Sequence, residues 1–598
     1  MIFRVRLALG LAAVTVLWLP TLPHPFLVDD QVIILHNPLL DSLGNLPKIF
    51  TTHYWAGTGL PTFGAYRPLT VATYALNAAT TRLTPWGLTP GSFRLINILL
   101  LIADAWLVAL VALRWGIGAL GAWLAAMFFA LHPVHVEPVV NVVGRAELLM
   151  TLFVLLGLLA WWRWMESPSP RRLAVIGVCL IAAMLSKEQG ILLLPLIALA
   201  FIARPSGFRA PSRRHWIALA ATLLVIASLC FFTRLIIIGG VGMENIAVRA
   251  SVENPILRHP VWPARLLTPL WLTAKAWALL WWPAHLQADY GFDALPIVTQ
   301  WADPTLILAL VILALTGCLA GLTRRVPGVL FGLGTFLIGF SLVCNGPLVI
   351  GTLFAERLLT LPSVGWALVA GALAERLARL ALARKPKGRV PLVALAATLL
   401  IGLGARASLR TRVWSSEEAY WTAALRDAPR SVKAHIGSAR YLMREARRRS
   451  AADPLREAHQ LLLRARNIDP DAAEVFHALG EFENLRFEGS PDPDVRRQAL
   501  DAAQVWFAEA VRLNPENPMY RMSHAVSLVE KVKRGASPAL LDQAITDLRV
   551  VINLQPARAD AWTTLHELLR RRGRAAEAEA LAVEFERHHS GESLTLTE

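Results

Sequence analysis

Residues 1 to 38 read MIFRVRLALGLAAVTVLWLPTLPHPFLVDDQVIILHNP: a basic start, an apolar run, then two adjacent carboxylates, Asp29 and Asp30. The run from 5 to 22 is apolar and long enough to enter hydrocarbon, which takes about 20 helical residues. No small-x-small cleavage site follows it, so it reads as an uncleaved first span and not as a removed signal peptide.

Ten further runs of the same kind follow, at 93–113, 117–132, 146–164, 172–186, 189–204, 215–233, 304–322, 328–345, 357–374 and 390–406. The 598-residue chain is 55% hydrophobic and only 17% charged, the balance of a polytopic membrane protein. Charge is sparse up to about residue 405 and dense afterwards. The expected fold is therefore all-α, with a helical membrane domain of about 11 spans over residues 1–408 and a repeat solenoid over 409–598.

The net charge of +16 reports topology. Basic residues gather at Arg114, RWMESPSPRR (163–172), ARPSGFRAPSRRH (203–215), Thr323-Arg324-Arg325 and ARKPKGR (383–389). All fall on the cytoplasmic side if the N-terminus is cytoplasmic and 264–283, rich in Trp, lies in the interface or re-enters without crossing. No basic stripe interleaves with aromatics, which argues against nucleic acid. The four cysteines, Cys179, Cys230, Cys318 and Cys344, lack CxxC spacing. Lys is scarce, eight of 59 basic residues, a composition that points to a bacterial source.

On this topology the long first loop (about 23–92), HPVHVEPVVNVVGRAE, SKEQG, residues 234–303 and NGPLVIGTLFAER share the extracytoplasmic side, and so does the C-terminal part. That part repeats. Helical segments close on RDAPRSVKAH, RNIDPDAAEVFHALG, RLNPENPMYRMSHA and NLQPARADAWTTLH, with Pro429, Pro470, Pro515 and Pro556 as markers. Their spacings of 41, 45 and 41 exceed the tetratricopeptide period of about 34. Insertions such as REARRRSAADPLRE (444–457) are the expected source of the excess. Such arrays offer a concave face for a protein or peptide partner.

Asp29 and Asp30 are the first candidates for chemistry. A solvated loop would explain a lone carboxylate, but these two are flanked by apolar residues on both sides. A carboxylate at a membrane surface suits general-base removal of a proton from an acceptor hydroxyl attacking an anomeric carbon. Either could be the base while the other orients it, with Asp29 preferred. His132, His135 and Glu137 form a His-x-x-His-x-Glu pattern open to metal ligation, to bonding of a phosphate or sugar, or to loop shaping, with Pro133 and Pro138 breaking any helix that would align the ligands. The expectation is no metal and no cofactor.

Arg67, Arg145, Lys187 and Arg357 could receive a phosphate leaving group, with His132 and His135 assisting, since cations at the mouths of apolar runs are costly unless used. Pairing with a sequence neighbour is the plain alternative: Arg145 with Glu147, Lys187 with Glu188, Arg357 with Glu356. Tyr66, Glu137, Glu147, Glu188 and Glu356 complete the candidate site. No Walker, GxGxxG or GxSxG motif appears.

Seven stretches carry a family resemblance: FLVDDQVIILHNP, THYWAGTG, AYRPLTVATYALN, ALHPVHVEPVVNVVGRAELL, SKEQGI, IGTLFAERLLTLPS and RVWSSEEAYWTAALRDAPRSVKAHIGSARYL. In this order, with repeats behind them, the chain resembles the transmembrane and tetratricopeptide-repeat-containing O-mannosyltransferases over nearly its whole length. The resemblance implies a GT-C fold, an extracytoplasmic site, a polyprenyl-phosphate sugar donor (mannose from dolichyl phosphate in known members), Ser/Thr protein acceptors, inversion without a metal, and Asp29-Asp30 at the catalytic centre. Val28 immediately before the acidic pair departs from the family pattern, and the repeats are few and long. Two other readings stay open: a lipid-linked sugar transferase acting on a glycan or lipid, and a non-catalytic scaffold, which would need only one span.

Overall fold

A backbone in hydrocarbon has no water to bond and must satisfy its own polar groups, and each of the eleven apolar runs forms helix in the computed structural model. The structure describes residues 1–58, 64–84, 88–204, 211–239, 253–258, 261–384, 389–449, 452–556 and 558–588. Among them no strand occurs.

Among the described residues seven helices are long and apolar enough to cross a bilayer: Ile2–Thr21, Pro90–Arg114, Val142–Glu166, Arg213–Ile238, Pro304–Thr323, Glu356–Ala381 and Pro391–Trp414. Ala119–Leu131 and Pro133–Val140 make an eighth if counted together across a 47° bend. Pro133 causes that bend, since its ring removes a helical donor and clashes with the preceding turn. Pro170–Ser186, Leu193–Ile202 and Val329–Ser341 are shorter. The expected figure of about 11 spans thus divides by length into seven or eight full spans and three short apolar helices. Of residues 264–283, all but Trp282 and Pro283 lie in the helix Trp262–Trp281, which contains Pro269 and is not among the seven.

The described residues fall into two compact units. The first comprises Met1–Ile246, Ile256–Tyr290 and Pro296–Ala423; the second comprises Ala247–Pro255, Gly291–Leu295 and Ala424–Glu598. The first is that of a multi-pass membrane protein. Its centre is made by Arg145–Glu166 and Thr360–Arg384, mostly buried, while Arg213–Ile238, Pro304–Thr323 and Pro391–Trp414 lie at the periphery. Side chains such as Phe232, Ile236 and Leu315 point outward there, as lipid-facing residues do. Thr360–Arg384 packs by backbone approach: a Cβ on Gly365 would overlap the Gly332 carbonyl oxygen, and one on Gly371 would overlap that of Gly121. Small residues permit such crossings where no hydrophobic force drives helices together.

The second unit is built from antiparallel helix pairs: Val432–Arg449 with Ala452–Ile468, Ala473–Gly489 with Pro493–Leu513, Pro518–Lys533 with Leu540–Leu554, and Ala559–Arg571 with Ala575–His588. Pro470, Pro515 and Pro556 occupy the turns between successive pairs, and Pro429 the turn before the first. Asn517 shows how such a turn starts the next helix, its Oδ1 accepting the Met519 N–H at 3.0 Å. The excess over the usual repeat length lies in long helices. Most of residues 444–457, expected as an insertion, continue Val432–Arg449 and Ala452–Ile468. Gly291–Leu295 joins this unit through Phe292, which packs on the core of the first pairs, and Glu253 of Ala247–Pro255 pairs with Lys433 at 2.8 Å.

Candidate functional site

Val28 adopts φ +49°, a left-handed conformation that a β-branched residue rarely takes. Strain of this kind persists only where surrounding contacts enforce it, and here those contacts are visible. Arg94, buried, donates to the carbonyls of His24, Pro25 (2.5 Å) and Val140 (2.8 Å). Asp30, fully buried, accepts the Val142 N–H at 3.0 Å on one carboxylate oxygen and the Val143 N–H at 2.9 Å on the other. Gly144 ends that short turn, so close to Pro138 that a Cβ would overlap the Pro138 Cα. The acidic loop is thereby bolted to residues 136–144.

With Asp30 turned to the backbone, Asp29 is left half-buried, without a hydrogen bond to any described residue and within electrostatic reach of Arg357. The two carboxylates differ in role because they differ in surroundings. Burial pushes the Asp30 carboxyl up to about 7, against the downward pull of the two amides and Arg94. Its proton affinity is higher folded than unfolded, so its contribution to stability is fully present below about pH 4 and is lost as pH rises through about 7. The difference in Tm between the wild type and Asp30→Asn should therefore narrow from pH 5 to pH 8. A gap that widens over that range would contradict the burial effect.

The cations pair across the fold and not with sequence neighbours, correcting all three neighbour pairings. Arg67 makes a bidentate contact with Glu188, closest at 3.0 Å, and Tyr66 N–H donates to the same carboxylate at 3.3 Å. Lys187 pairs with Glu147, both buried. Glu137 takes the Arg357 backbone N–H at 2.9 Å and its guanidinium. Glu356, buried, accepts from Tyr290 Oη at 3.1 Å and Arg410 Nη2 at 3.0 Å, so it belongs to a separate internal network. Tyr66 Oη is spent on the Phe50 carbonyl at 2.8 Å.

Arg145 is the clearest correction. It is buried, and all five of its N–H groups have protein acceptors: Nε to Asn97 Oδ1 at 2.9 Å, Nη2 to Asn77 Oδ1 and the Phe93 carbonyl, both at 2.9 Å, and Nη1 to the Thr73 carbonyl at 3.2 Å and its Oγ1 at 3.4 Å. Its plane also lies 4.9 Å from the Tyr74 ring centroid. A guanidinium with no spare donor does not receive a phosphate.

The histidines are likewise internal. His132 Nε2 meets the Leu280 carbonyl at 2.9 Å and His135 Nε2 meets Ser363 Oγ at 3.1 Å, both rings fully buried. They face different partners while Glu137 faces Arg357, so the His-x-x-His-x-Glu pattern does not converge. Among the described residues no group of three or more His, Cys, Asp or Glu side chains is placed to hold a metal. The carboxylates and cations that do gather are Asp29, Arg67, Glu188, Lys187, Glu147, Arg357 and Glu137. Within this set the partly exposed guanidiniums are Arg67 and Arg357.

The family profile described as "Protein O-mannosyl-transferase TMTC, DUF1736" matches residues 245–317. Tmtc2 of Drosophila melanogaster, a protein O-mannosyl-transferase by name, is 36% identical over 48% of this chain and 30% of its own length. Human TMTC4, likewise named, is 28% identical over 72% of this chain and 63% of its own. Over these stretches the chain is similar to the TMTC proteins. It spans from about a third to three-fifths of the length of the first curated relatives it matches. A tetratricopeptide-repeat protein of Thermus thermophilus, TTC0263, is 17% identical and covers 33% of the chain and 90% of its own length at a TM-score of 0.23.

Arg94 and Arg234, which hold carbonyls of the first loop, are residues that sequence reading passed over. Arg94 interrupts an apolar run and was legible only as a charge at a span's start. Arg234 closes another such run.

Proposed function

We propose that this chain transfers a sugar, mannose first among candidates, from a polyprenyl-phosphate donor to Ser or Thr hydroxyls of proteins, with inversion. The observation that carries the reading is the division within the acidic pair: Asp30 is held by two amides, while Asp29 has no hydrogen bond to a described residue and is within electrostatic reach of Arg357. A hydroxyl is too weak an acid to ionise beforehand, so a carboxylate must take its proton as the C–O bond forms. Asp29 is that base. The phosphate leaves with the electron pair of the broken glycosidic bond. Its charge falls to N–H groups on Arg67 and Arg357 that no described protein acceptor uses.

Further support comes from the relatives' names and from the apolar helices, which let a lipid tail remain in hydrocarbon while its head reaches the site. The GT-C fold, the extracytoplasmic side and a bacterial inner membrane belong to the same proposal, as does acceptor binding by the repeats. The chemistry draws on no cofactor beyond the lipid-linked substrate.

The test is reconstitution in proteoliposomes with mannosyl-phosphoryl-undecaprenol and a Ser/Thr-rich protein acceptor, read by mass spectrometry. A hexose on Ser or Thr is the expected product. Sugar found only on lipid or glycan acceptors would sink the protein-transferase reading in favour of a lipid-linked transferase of another specificity.

A further inference from the structure

The helix Arg213–Ile238 is among the least buried spans of the first unit, and its buried residues are Leu219, Leu223 and Ala227. Spacings of four, four and then seven residues put Arg234 on that same inward stripe, between the outward Phe232 and Ile236. A charge near the end of a lipid-facing helix ordinarily extends away to water. Arg234 does the reverse. Its Nη2 donates to the Gly64 carbonyl at 2.6 Å, while its Nε is buried with no described acceptor.

Gly64 lies two residues before Tyr66, whose N–H is on Glu188, and the charge of Arg234 acts on the Glu188 carboxylate together with that of Arg67. Arg67 holds that carboxylate directly, and the charge of Arg234 acts on it from the Gly64 carbonyl. By contrast, Lys187 with Glu147 and Arg357 with Glu137 are each neutral as pairs. Among the described residues, the Arg67, Arg234 and Glu188 trio carries one positive charge more than its carboxylate offsets, with an N–H that no described acceptor uses. An anion that belongs to a lipid meets both conditions.

We infer that Arg234, with Arg67, binds the phosphate of the lipid-linked donor as it arrives from the bilayer side. This rests on the proposed function and deepens it: Arg234 becomes the first contact of the donor headgroup, and Arg357 beside Asp29 a later one.

The experiment measures binding of undecaprenyl phosphate, phosphatidylglycerol and inorganic phosphate to purified wild type, Arg234→Gln and Arg234→Lys. Arg325→Gln, an exposed cation between Pro304–Thr323 and Val329–Ser341, serves as control, and ligand-free Tm is recorded for each. Arg234→Gln should bind undecaprenyl phosphate at least ten-fold more weakly, Arg234→Lys should recover part of the loss, and phosphatidylglycerol binding should change little. Unchanged undecaprenyl-phosphate affinity in Arg234→Gln overturns the inference and leaves the proposed function standing. No binding by the wild type removes the proposed function itself. Equal weakening for phosphatidylglycerol makes Arg234 a general headgroup contact, and displacement of the lipid by inorganic phosphate at equal concentration makes the site one for free phosphate; either outcome overturns the assignment. So does a lowered ligand-free Tm that Arg234→Lys restores without any change in affinity.

Discussion

Asp29→Asn is expected to lower the turnover number for sugar transfer by roughly 10²–10⁴-fold, the contribution of a positioned general base, with donor affinity and ligand-free stability nearly unchanged. Asp30→Asn is expected to lose activity by a different route. An amide has one acceptor oxygen, whereas the Asp30 carboxylate meets the Val142 and Val143 N–H groups with one oxygen each. In the variant an NH2 group would oppose a backbone N–H inside a buried site, leaving a donor unsatisfied at a cost of about 1–3 kcal/mol. The strained Val28 two residues upstream would then be free to relax, and the loop would swing. The measurements are single-turnover rates at saturating donor and limited proteolysis across residues 24–38. Asp29→Asn should lose rate with the cleavage pattern of the wild type; Asp30→Asn should gain cleavage in the loop. A reversal, with Asp30→Asn intact in structure and dead in chemistry while Asp29→Asn transfers sugar normally, would assign the base to Asp30.

That two adjacent carboxylates mattered was legible in the sequence; which did what was not. The distinction depends on a left-handed Val28 and on a contact across 112 residues of chain, neither of which has a local signature. The apolar runs were legible because hydrocarbon imposes one answer on the backbone, and the repeat turns because proline cannot continue a helix and starts the next one readily. The ion pairs were not. Arg357 and Lys187 each have an acidic neighbour in sequence, but adjacent side chains at a helix start point apart. The actual partners lie 220 and 40 residues away. Hydropathy windows also hide single charges, which is why Arg94 and Arg234 drew no attention although each holds a carbonyl of the first loop.

Arg145→Leu is expected to destabilise the first unit by roughly 4 kcal/mol or more, because it strands several buried acceptors at about 1–3 kcal/mol each. Those acceptors are Asn97 Oδ1, Asn77 Oδ1 and the carbonyls of Phe93 and Thr73. The damage should reach the site, since Asn97 uses its Nδ2 on the carbonyls of Pro138, Val139 and Val142 at 3.2–3.3 Å, which shape the turn that holds Asp30. Arg145→Lys keeps the charge but replaces a planar five-donor fork by a point with three donors, so it should fall between. A loss of about 4 kcal/mol corresponds to a fall in Tm of roughly 10 °C for a mid-sized cooperative unit, measured on ligand-free protein in detergent. The alternative role for Arg145, as a ligand of the donor phosphate, makes the opposite forecast: an unchanged ligand-free Tm in both variants, with lipid-phosphate affinity lost. The five protein acceptors decide between them in favour of structure, because a donor phosphate could bind Arg145 only by displacing bonds that hold the Asp30 turn in place.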